Sequence, residues 1–328
     1  MVMTNNSASA ISHPNIAFIK YWGNKNEKIR IPKNNSISMN LDGLETRTRV
    51  TFGIDNEADQ LVLNGEEIDG EGRERVSRLL DQVRITAGIS DKAKVESTNN
   101  FPTGSGIASS ASAFAALSLA ASAAAGLSPN IKELSKLART GSGSACRSVP
   151  AGFVEWFAGQ THEDSFAASI APADHWDLVD CIAVVSQEHK ATGSTGGHAI
   201  AGTSPLQEGR VADAQRRLDL CREAILSKDF KAFAEITELD STMMHAVMMT
   251  STPSLYYWQA ETLRIMQAVQ NWRMDGLQAC FTIDAGPNVH VICPAEHSAQ
   301  VAELLTKLPG VQKVLSAKPG GPTKLIPE

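Results

Sequence analysis

An α+β fold in two domains is what this sequence predicts, and three observations carry the prediction. Residues 47–52 alternate as a half-buried strand does, with Thr48, Val50 and Phe52 on one face and Arg47, Arg49 and Thr51 on the other. Residues 109–125 are alanine-rich and apolar nearly all round, as a helix buried inside a core must be. After Ser186 the chain turns to consecutive helices, then to two strands, a helix and a last strand, the pattern of a second α+β unit. The domains are therefore set at residues 1–186 and 187–328.

The elements follow in order. Residues 60–63 form a short strand closed by an Asn64-Gly65 turn. Residues 73–87 place Val76, Leu79, Leu80 and Val83 at helical spacing. The apolar helix ends at Gly126, and Ser128-Pro129 reads as the cap and first turn of the next helix, which runs to about Arg139. Residues 149–157 and 178–186 are strands, the second dense enough in β-branched and aliphatic side chains to be central. A glycine-rich loop at 193–202 leads into a helix whose apolar stripe is Val211, Ala214, Leu218, Cys221 and Ile225. Helices at 230–249 and 253–273, strands at 277–283 and 288–293, a helix at 296–308 and a strand at 311–316 complete the chain.

Composition narrows the function. With 328 residues, 42% hydrophobic and 20% charged, the chain has ample core and the balance of a soluble globular protein. A formal net charge of -6 argues against nucleic-acid binding as its main role. No uninterrupted apolar run is long enough for a membrane span, and residues 1–12 lack the basic and apolar regions of a signal peptide, so a cytoplasmic protein is expected. The five cysteines are scattered, without CxxC or a Cys/His cluster, and read as reduced, buried thiols.

Four segments carry chemistry. Residues 101–111, Phe-Pro-Thr-Gly-Ser-Gly-Ile-Ala-Ser-Ser-Ala, open a glycine and hydroxyl loop onto the buried helix. Outward N–H groups and the positive helix end could cradle phosphate, or the loop could be a plain flexible turn. It is not a Walker loop, because no Gly-Lys-Ser/Thr follows. Arg147 closes Gly-Ser-Gly-Ser-Ala-Cys-Arg-Ser, where a planar fork of donors suits a carboxylate or phosphate. Ser142 and Ser144 could donate to phosphate or cap a helix. Asp284 ends a strand at a Gly-Pro turn, either aimed at a cleft or serving the turn itself. Lys20 sits in the apolar run 16–22, either snorkelling or neutralising buried anions.

These blocks, with Asn15-Ile-Ala-Phe-Ile-Lys-Tyr-Trp-Gly23, Asn34-Asn-Ser-Ile-Ser38, Asn99-Asn-Phe-Pro102 and Asp284-Ala-Gly-Pro-Asn288, occur in one order across nearly the whole chain. In this the sequence resembles the mevalonate diphosphate decarboxylase family of the GHMP kinase superfamily. The resemblance implies the two-domain GHMP-kinase fold with an active-site cleft between the domains. It implies ATP and Mg2+ as cofactors, a homodimer, and a reaction in which the tertiary 3-hydroxyl of a mevalonate-type substrate is phosphorylated before phosphate and CO2 leave. Asp284 and Lys20 would be the catalytic pair, Asp284 orienting or deprotonating the hydroxyl and Lys20 stabilising the transferring phosphoryl group. Arg147 would clamp the substrate carboxylate. Tyr21, Ser142 and Ser144 would contact the 5-phosphate end, with Asn24, Ser194 and His198 as further substrate-binding positions. Asn99, Pro102, Gly104, Ser105, Gly106, Ala108, Ser109 and Ser110 would hold ATP; no residue is assigned to the metal.

Two departures bear on the substrate. The family's diphosphate-specific members read Lys-Tyr-Trp-Gly-Lys, and here the last position is Asn24. Where they carry a serine and a methionine, this chain has Gly193 and His198. Loss of a cation and a hydroxyl favours the less charged ligand, so the expected substrate is mevalonate 5-phosphate and the product isopentenyl phosphate. Diphosphomevalonate decarboxylation and a mevalonate-type 3-kinase are the alternatives. Lys25, Lys190 or a protonated His198 could supply the missing charge.

Overall fold

The computed structural model describes residues 6–101, 109–187 and 192–327. Two largely antiparallel sheets organise them. The first runs in the order Lys324–Ile326, Ser7–Ser12, Thr46–Phe52, Ala93–Asn99, Gln60–Leu63, Glu66–Glu67. Its strand Thr46–Phe52 buries Thr46, Thr48, Val50 and Phe52 and exposes Arg47 and Arg49, as the alternation requires. Asn64 and Gly65 both take positive φ, which closes the tight hairpin between its last two strands.

Two helices cover one face of this sheet. Glu71–Ala87 buries Val76, Leu79, Leu80 and Val83. Ser109–Ala124 is buried along nearly its whole length, and its alanines let it lie close against Ser7–Ser12 and Thr46–Phe52. The following helix, Ile131–Gly141, starts later than expected. Asn130 caps it, in a reciprocal box with Glu133, so Ser128-Pro129 belongs to the approach rather than the cap.

The second sheet runs Phe166–Ala171, Phe153–Phe157, Ser36–Asp42, Lys313–Pro319, Leu178–Val184, Val289–Pro294, Cys280–Thr282, with Asn15–Ile19 paired to Ser36–Asp42. Leu178–Val184 is buried at every position and lies between two neighbours, the central place its composition predicts. The C-terminal segment stitches the sheets together: Lys313–Pro319 joins the larger and Lys324–Ile326 the smaller.

Three stretches differ from expectation. The glycine-rich segment 193–202 is mostly helix, Ser194–Ile200. Gly197 is small because a Cβ there would stand 2.5 Å from the Trp22 ring, so packing rather than looseness explains it. The stripe from Val211 to Ile225 is broken at Asp213 into Gln207–Ala212 and Ala214–Ser227. The helix expected from Pro253 begins at Ala260, since 254–259 is extended chain that seats Leu255 and Tyr257 against Trp22 and Met248. Among the described residues no helix is long and apolar enough to cross a membrane, and the five cysteines are free and buried.

Candidate active site

A cavity of about 270 Å³ lies where the two halves of the chain meet. Lys20, Tyr21, Trp22, Arg30, Arg75, Ser109, Ser110, Ser142, Gly143, Ser144 and Arg147 come from the first half; Gly193, Ser194, Thr195, His198, Met244, Asp284 and Ala285 come from the second. Residues 264 apart in sequence meet there: Lys20 Nζ donates to Asp284 Oδ1 at 2.6 Å.

Each partner is held by its backbone. Lys20 follows the strand Asn15–Ile19, and its N–H donates to Asp240 Oδ1 at 2.7 Å. Its carbonyl accepts from Asn34 Nδ2 at 3.0 Å and from Arg210 Nη2 at 2.8 Å. Asp240 is itself bound to Arg217 at 2.7 Å, both fully buried. Asp284 lies just beyond the strand Cys280–Thr282, in a turn closed by Gly286 N–H on the Asp284 carbonyl at 2.8 Å. Asn288 fastens that turn by accepting from the N–H groups of Val185 and Ser186. The helix Phe230–Thr250 touches both partners, because Ser241, next to Asp240, exchanges hydrogen bonds with the N–H and carbonyl of Ile283.

Lys20 is 1% exposed and Asp284 keeps 26% of its side chain open to the cavity. Burial lowers the Lys20 ammonium below its ordinary value against the pull of Asp284 and Asp240, and Arg147 lowers it further. Burial alone would raise the Asp284 carboxyl; the Lys20 ammonium outweighs it and holds the group below its ordinary value, as a carboxylate.

Arg147 is buried and oriented by its own donors, Nε to Asn15 Oδ1 at 3.2 Å and Nη1 to Ser36 Oγ at 2.6 Å. Among the described residues no carboxylate lies within ion-pair distance of it, and burial lowers its pKa. Such a cation suits an anionic ligand, whose binding replaces the missing partner. Gly143 sits between Ser142 and Ser144 because a Cβ there would stand 2.7 Å from the Tyr21 ring. Ser110 and Ser142 are 3.3 Å apart, which joins the start of the helix Ser109–Ala124 to this turn.

His198 is stacked on Tyr21 at 4.0 Å and tilted against Trp22 at 4.5 Å. The Gly23 N–H donates to its Nδ1 at 2.9 Å, so that nitrogen carries no proton in this arrangement. Asn24 does not line the cavity. Its Oδ1 accepts from Tyr21 OH at 2.6 Å and its Nδ2 donates to Glu27 at 2.8 Å, so it steadies Tyr21 from behind. Lys25 turns away to the Gly159 carbonyl at 3.4 Å and borders a separate cavity with Lys33. Asn99 also lies off the cavity, accepting from Thr46 Oγ1 at 2.5 Å. Pro102, Gly104, Ser105, Gly106, Ala108 and Lys190 lie outside the described residues.

Sequence reasoning missed Arg30 and Arg75. Arg75 stands one turn before Leu79 on the buried stripe of its helix, which is the signal that could have found it. Its Nε donates to the Gly141 carbonyl at 2.7 Å and its guanidinium lies 4.5 Å over the Phe114 ring. Burial, and then the Arg30 charge, lower it to about 10. With Lys20 and Arg147 these make four cationic lining residues against one carboxylate, a cavity built for polyanions.

The comparisons agree in both halves. The family model described as diphosphomevalonate decarboxylase-like N-terminal domain matches residues 12–167, and that of the mevalonate 5-diphosphate decarboxylase C-terminal domain matches 181–321. The diphosphomevalonate decarboxylase of Candida albicans is 39% identical over 318 residues, 92% of this chain and 88% of that protein. The phosphomevalonate decarboxylase of Haloferax volcanii is 33% identical over 323 residues, 98% of each chain. Among solved structures, MDDEF in complex with MVAPP, AMPPCP and magnesium superposes with a TM-score of 0.92 at 37% identity, covering 98% of this chain and 99% of that one.

Proposed function

This chain belongs to the mevalonate diphosphate decarboxylase family of the GHMP kinase fold, and from that premise we propose that it is an ATP-dependent phosphomevalonate decarboxylase. It would phosphorylate the 3-hydroxyl of mevalonate 5-phosphate, then release phosphate and CO2 to leave isopentenyl phosphate. The division between its two parts is set near residue 186, and the family analogy adds a homodimer.

The arrangement supports a division of labour. The Asp284 carboxylate, opening onto the cavity, orients the 3-hydroxyl and accepts its proton as the nucleophile forms. Lys20, held at 2.6 Å from Asp284, keeps that carboxylate ionised and faces the phosphoryl group as it transfers. Phosphorylation turns a poor leaving group into a good one. As phosphate departs, positive charge develops at C3 and the adjacent carboxylate is lost as CO2, its electron pair forming the alkene. Arg147 holds that carboxylate in line. Ser142 and Ser144 offer hydroxyls to the 5-phosphate, and Tyr21 packs beside them.

ATP fits the described residues at the N-terminus of the helix Ser109–Ala124, where Ser109 and Ser110 face the cavity and the positive helix end favours phosphate. Among the described residues no cluster of three or more acidic, His or Cys side chains could hold a metal. Hydroxyls and a single carboxylate suit a magnesium ion bound chiefly through nucleotide phosphates, where it would neutralise charge on the transferring group.

The observation that carries the substrate reading is the fate of position 24. Asn24 is neutral and spent on Tyr21 and Glu27, and Lys25 points elsewhere, so neither position supplies the cation that the diphosphate-specific members carry after Lys-Tyr-Trp-Gly. Steady-state turnover of mevalonate 5-phosphate and its 5-diphosphate, with CO2 and ADP both measured, tests the reading. The expected result is a higher kcat/KM on the monophosphate with one CO2 per ADP. A higher efficiency on the diphosphate refutes the substrate assignment, and ADP without CO2 refutes decarboxylation.

A further inference from the structure

We propose that Arg30 is a specificity-determining residue that anchors the substrate's 5-phosphate, taking over from the hairpin position next to Tyr21 that Asn24 leaves uncharged. The inference rests on the reading of the cavity as the phosphorylated-substrate site, and it holds for either number of 5-phosphates.

The hairpin geometry supports it. Asn24–Asn26 pairs with Ile31–Pro32, and Asn24 lies opposite Pro32. Arg30 is the last residue of the intervening turn, with φ +52°, a left-handed conformation that a non-glycine residue adopts at a cost. Arg30 sits at the turn end of the hairpin, beyond the Asn26–Ile31 pair, and from there it enters the cavity lining, where Asn24 at the other end does not reach. Its Nε donates to the Thr140 carbonyl at 3.2 Å, at the end of the helix that leads directly into Ser142 and Ser144. That bond fixes the plane of the guanidinium. Among the described residues its two terminal nitrogens take no hydrogen bond or ion pair.

Of the neighbouring cations, Arg75 is tied among the described residues through Nε alone and Arg147 through two of its nitrogens. Arg75 is fastened to Gly141 and lies on Phe114. Arg147 is held beside the Lys20–Asp284 pair by Asn15 and Ser36. Arg30 presents its open side at the rim, beside Tyr21 and the serine turn, where a planar fork can grip two phosphate oxygens.

Arg30→Gln, Arg30→Lys and the double variant Asn24→Lys/Arg30→Gln test this, assayed on mevalonate 5-phosphate and on the 5-diphosphate, with thermal melts to establish folding. A charge-assisted contact of this kind predicts that Arg30→Gln raises KM for the phosphorylated substrate by about tenfold to a hundredfold, with kcat and the KM for ATP within about twofold. Arg30→Lys should fall between the parent and Arg30→Gln. The double variant should recover part of the loss and shift preference toward the diphosphate. A folded Arg30→Gln with an unchanged KM, or a defect confined to kcat or to ATP, overturns the proposal. If the parent enzyme prefers the diphosphate, the substrate reading fails, yet a raised KM for the diphosphate in Arg30→Gln still supports the role of Arg30.

Discussion

His245 offers a test of the electrostatics behind the proposed catalytic pair, Lys20 and Asp284. It lies on the helix Phe230–Thr250, 1% exposed, with Nε2 at 3.3 Å from the carbonyl of Ile283, the residue before Asp284. Its ring is tilted against Trp258 at 4.7 Å. Burial, and then the Lys20 charge, push its pKa down from 6.5 to about 3. Folded His245 is therefore neutral where unfolded His245 takes up a proton. The stability from keeping it neutral is complete above the unfolded value and is lost as pH falls below it. Integrating the linkage from pH 7.5 to pH 5.0 gives a loss of about 2 kcal/mol from this one residue. His245→Gln keeps an N–H for the Ile283 carbonyl and cannot titrate. Losing the ring should make it less stable throughout, but its stability should fall less on acidification. Urea unfolding of both proteins at the two pH values reads the difference directly. The wild type should lose about 2 kcal/mol more than the variant between them. Equal losses would show that burial and the Lys20 charge do not govern this histidine.

Two further predictions concern the pair itself. Asp284→Asn should abolish turnover while ATP binding, followed by calorimetry or nucleotide fluorescence, changes little; a substantial residual rate would remove Asp284 from the proton transfer. Asp240→Asn leaves the buried Arg217 with only the partly exposed Asp213 as its charge partner and weakens the hold on the Lys20 N–H, so unfolding free energy should drop by about 3 kcal/mol. Below its melting transition the variant should lose kcat with KM largely kept. A matched change in both would make Asp240 a stability residue only.

Much of the fold was legible because its signals are local. The alternation at Thr46–Phe52 and the all-round apolarity of Ser109–Ala124 each follow from the environment the element occupies. What escaped depends on distant partners. The segment 193–202 is glycine-rich in sequence and helical in fold because Gly197 meets Trp22, a contact that composition does not report. The strands of Ser7–Ser12 and Lys324–Ile326 are short, and their pairing joins opposite ends of the chain. At the site, the resemblance led to ten residues that line the cavity, Lys20, Tyr21, Ser109, Ser110, Ser142, Ser144, Arg147, Ser194, His198 and Asp284. Asn24 reaches it only through Tyr21, and Asn99, bonded to Thr46, lies away from it. Arg30 gave no periodic signal, since a turn rather than a helix or strand delivers it.

The charge distribution of the cavity explains why this fold suits a substrate with an acid at each end. Lys20, Arg75 and Arg147 all have pKa values lowered chiefly by burial, so each pays for its place with lost hydration. Among the described residues only Lys20 of these three has a carboxylate in contact, and that carboxylate is the group proposed to meet the hydroxyl. The remaining positive charge is divided in space, Arg147 beside the pair and Arg30 with Arg75 toward the serine turn. A ligand with one anion would satisfy one end and leave the other uncompensated. A carboxylate and a phosphate joined by a short chain would satisfy both, and in the proposed reading would set the tertiary hydroxyl between them at Asp284. In the proposed reaction the same field would favour each step in turn: it would draw the nucleotide's terminal phosphate toward Lys20 and hold the departing phosphate, while CO2, which carries no charge, is the product it has no means to retain.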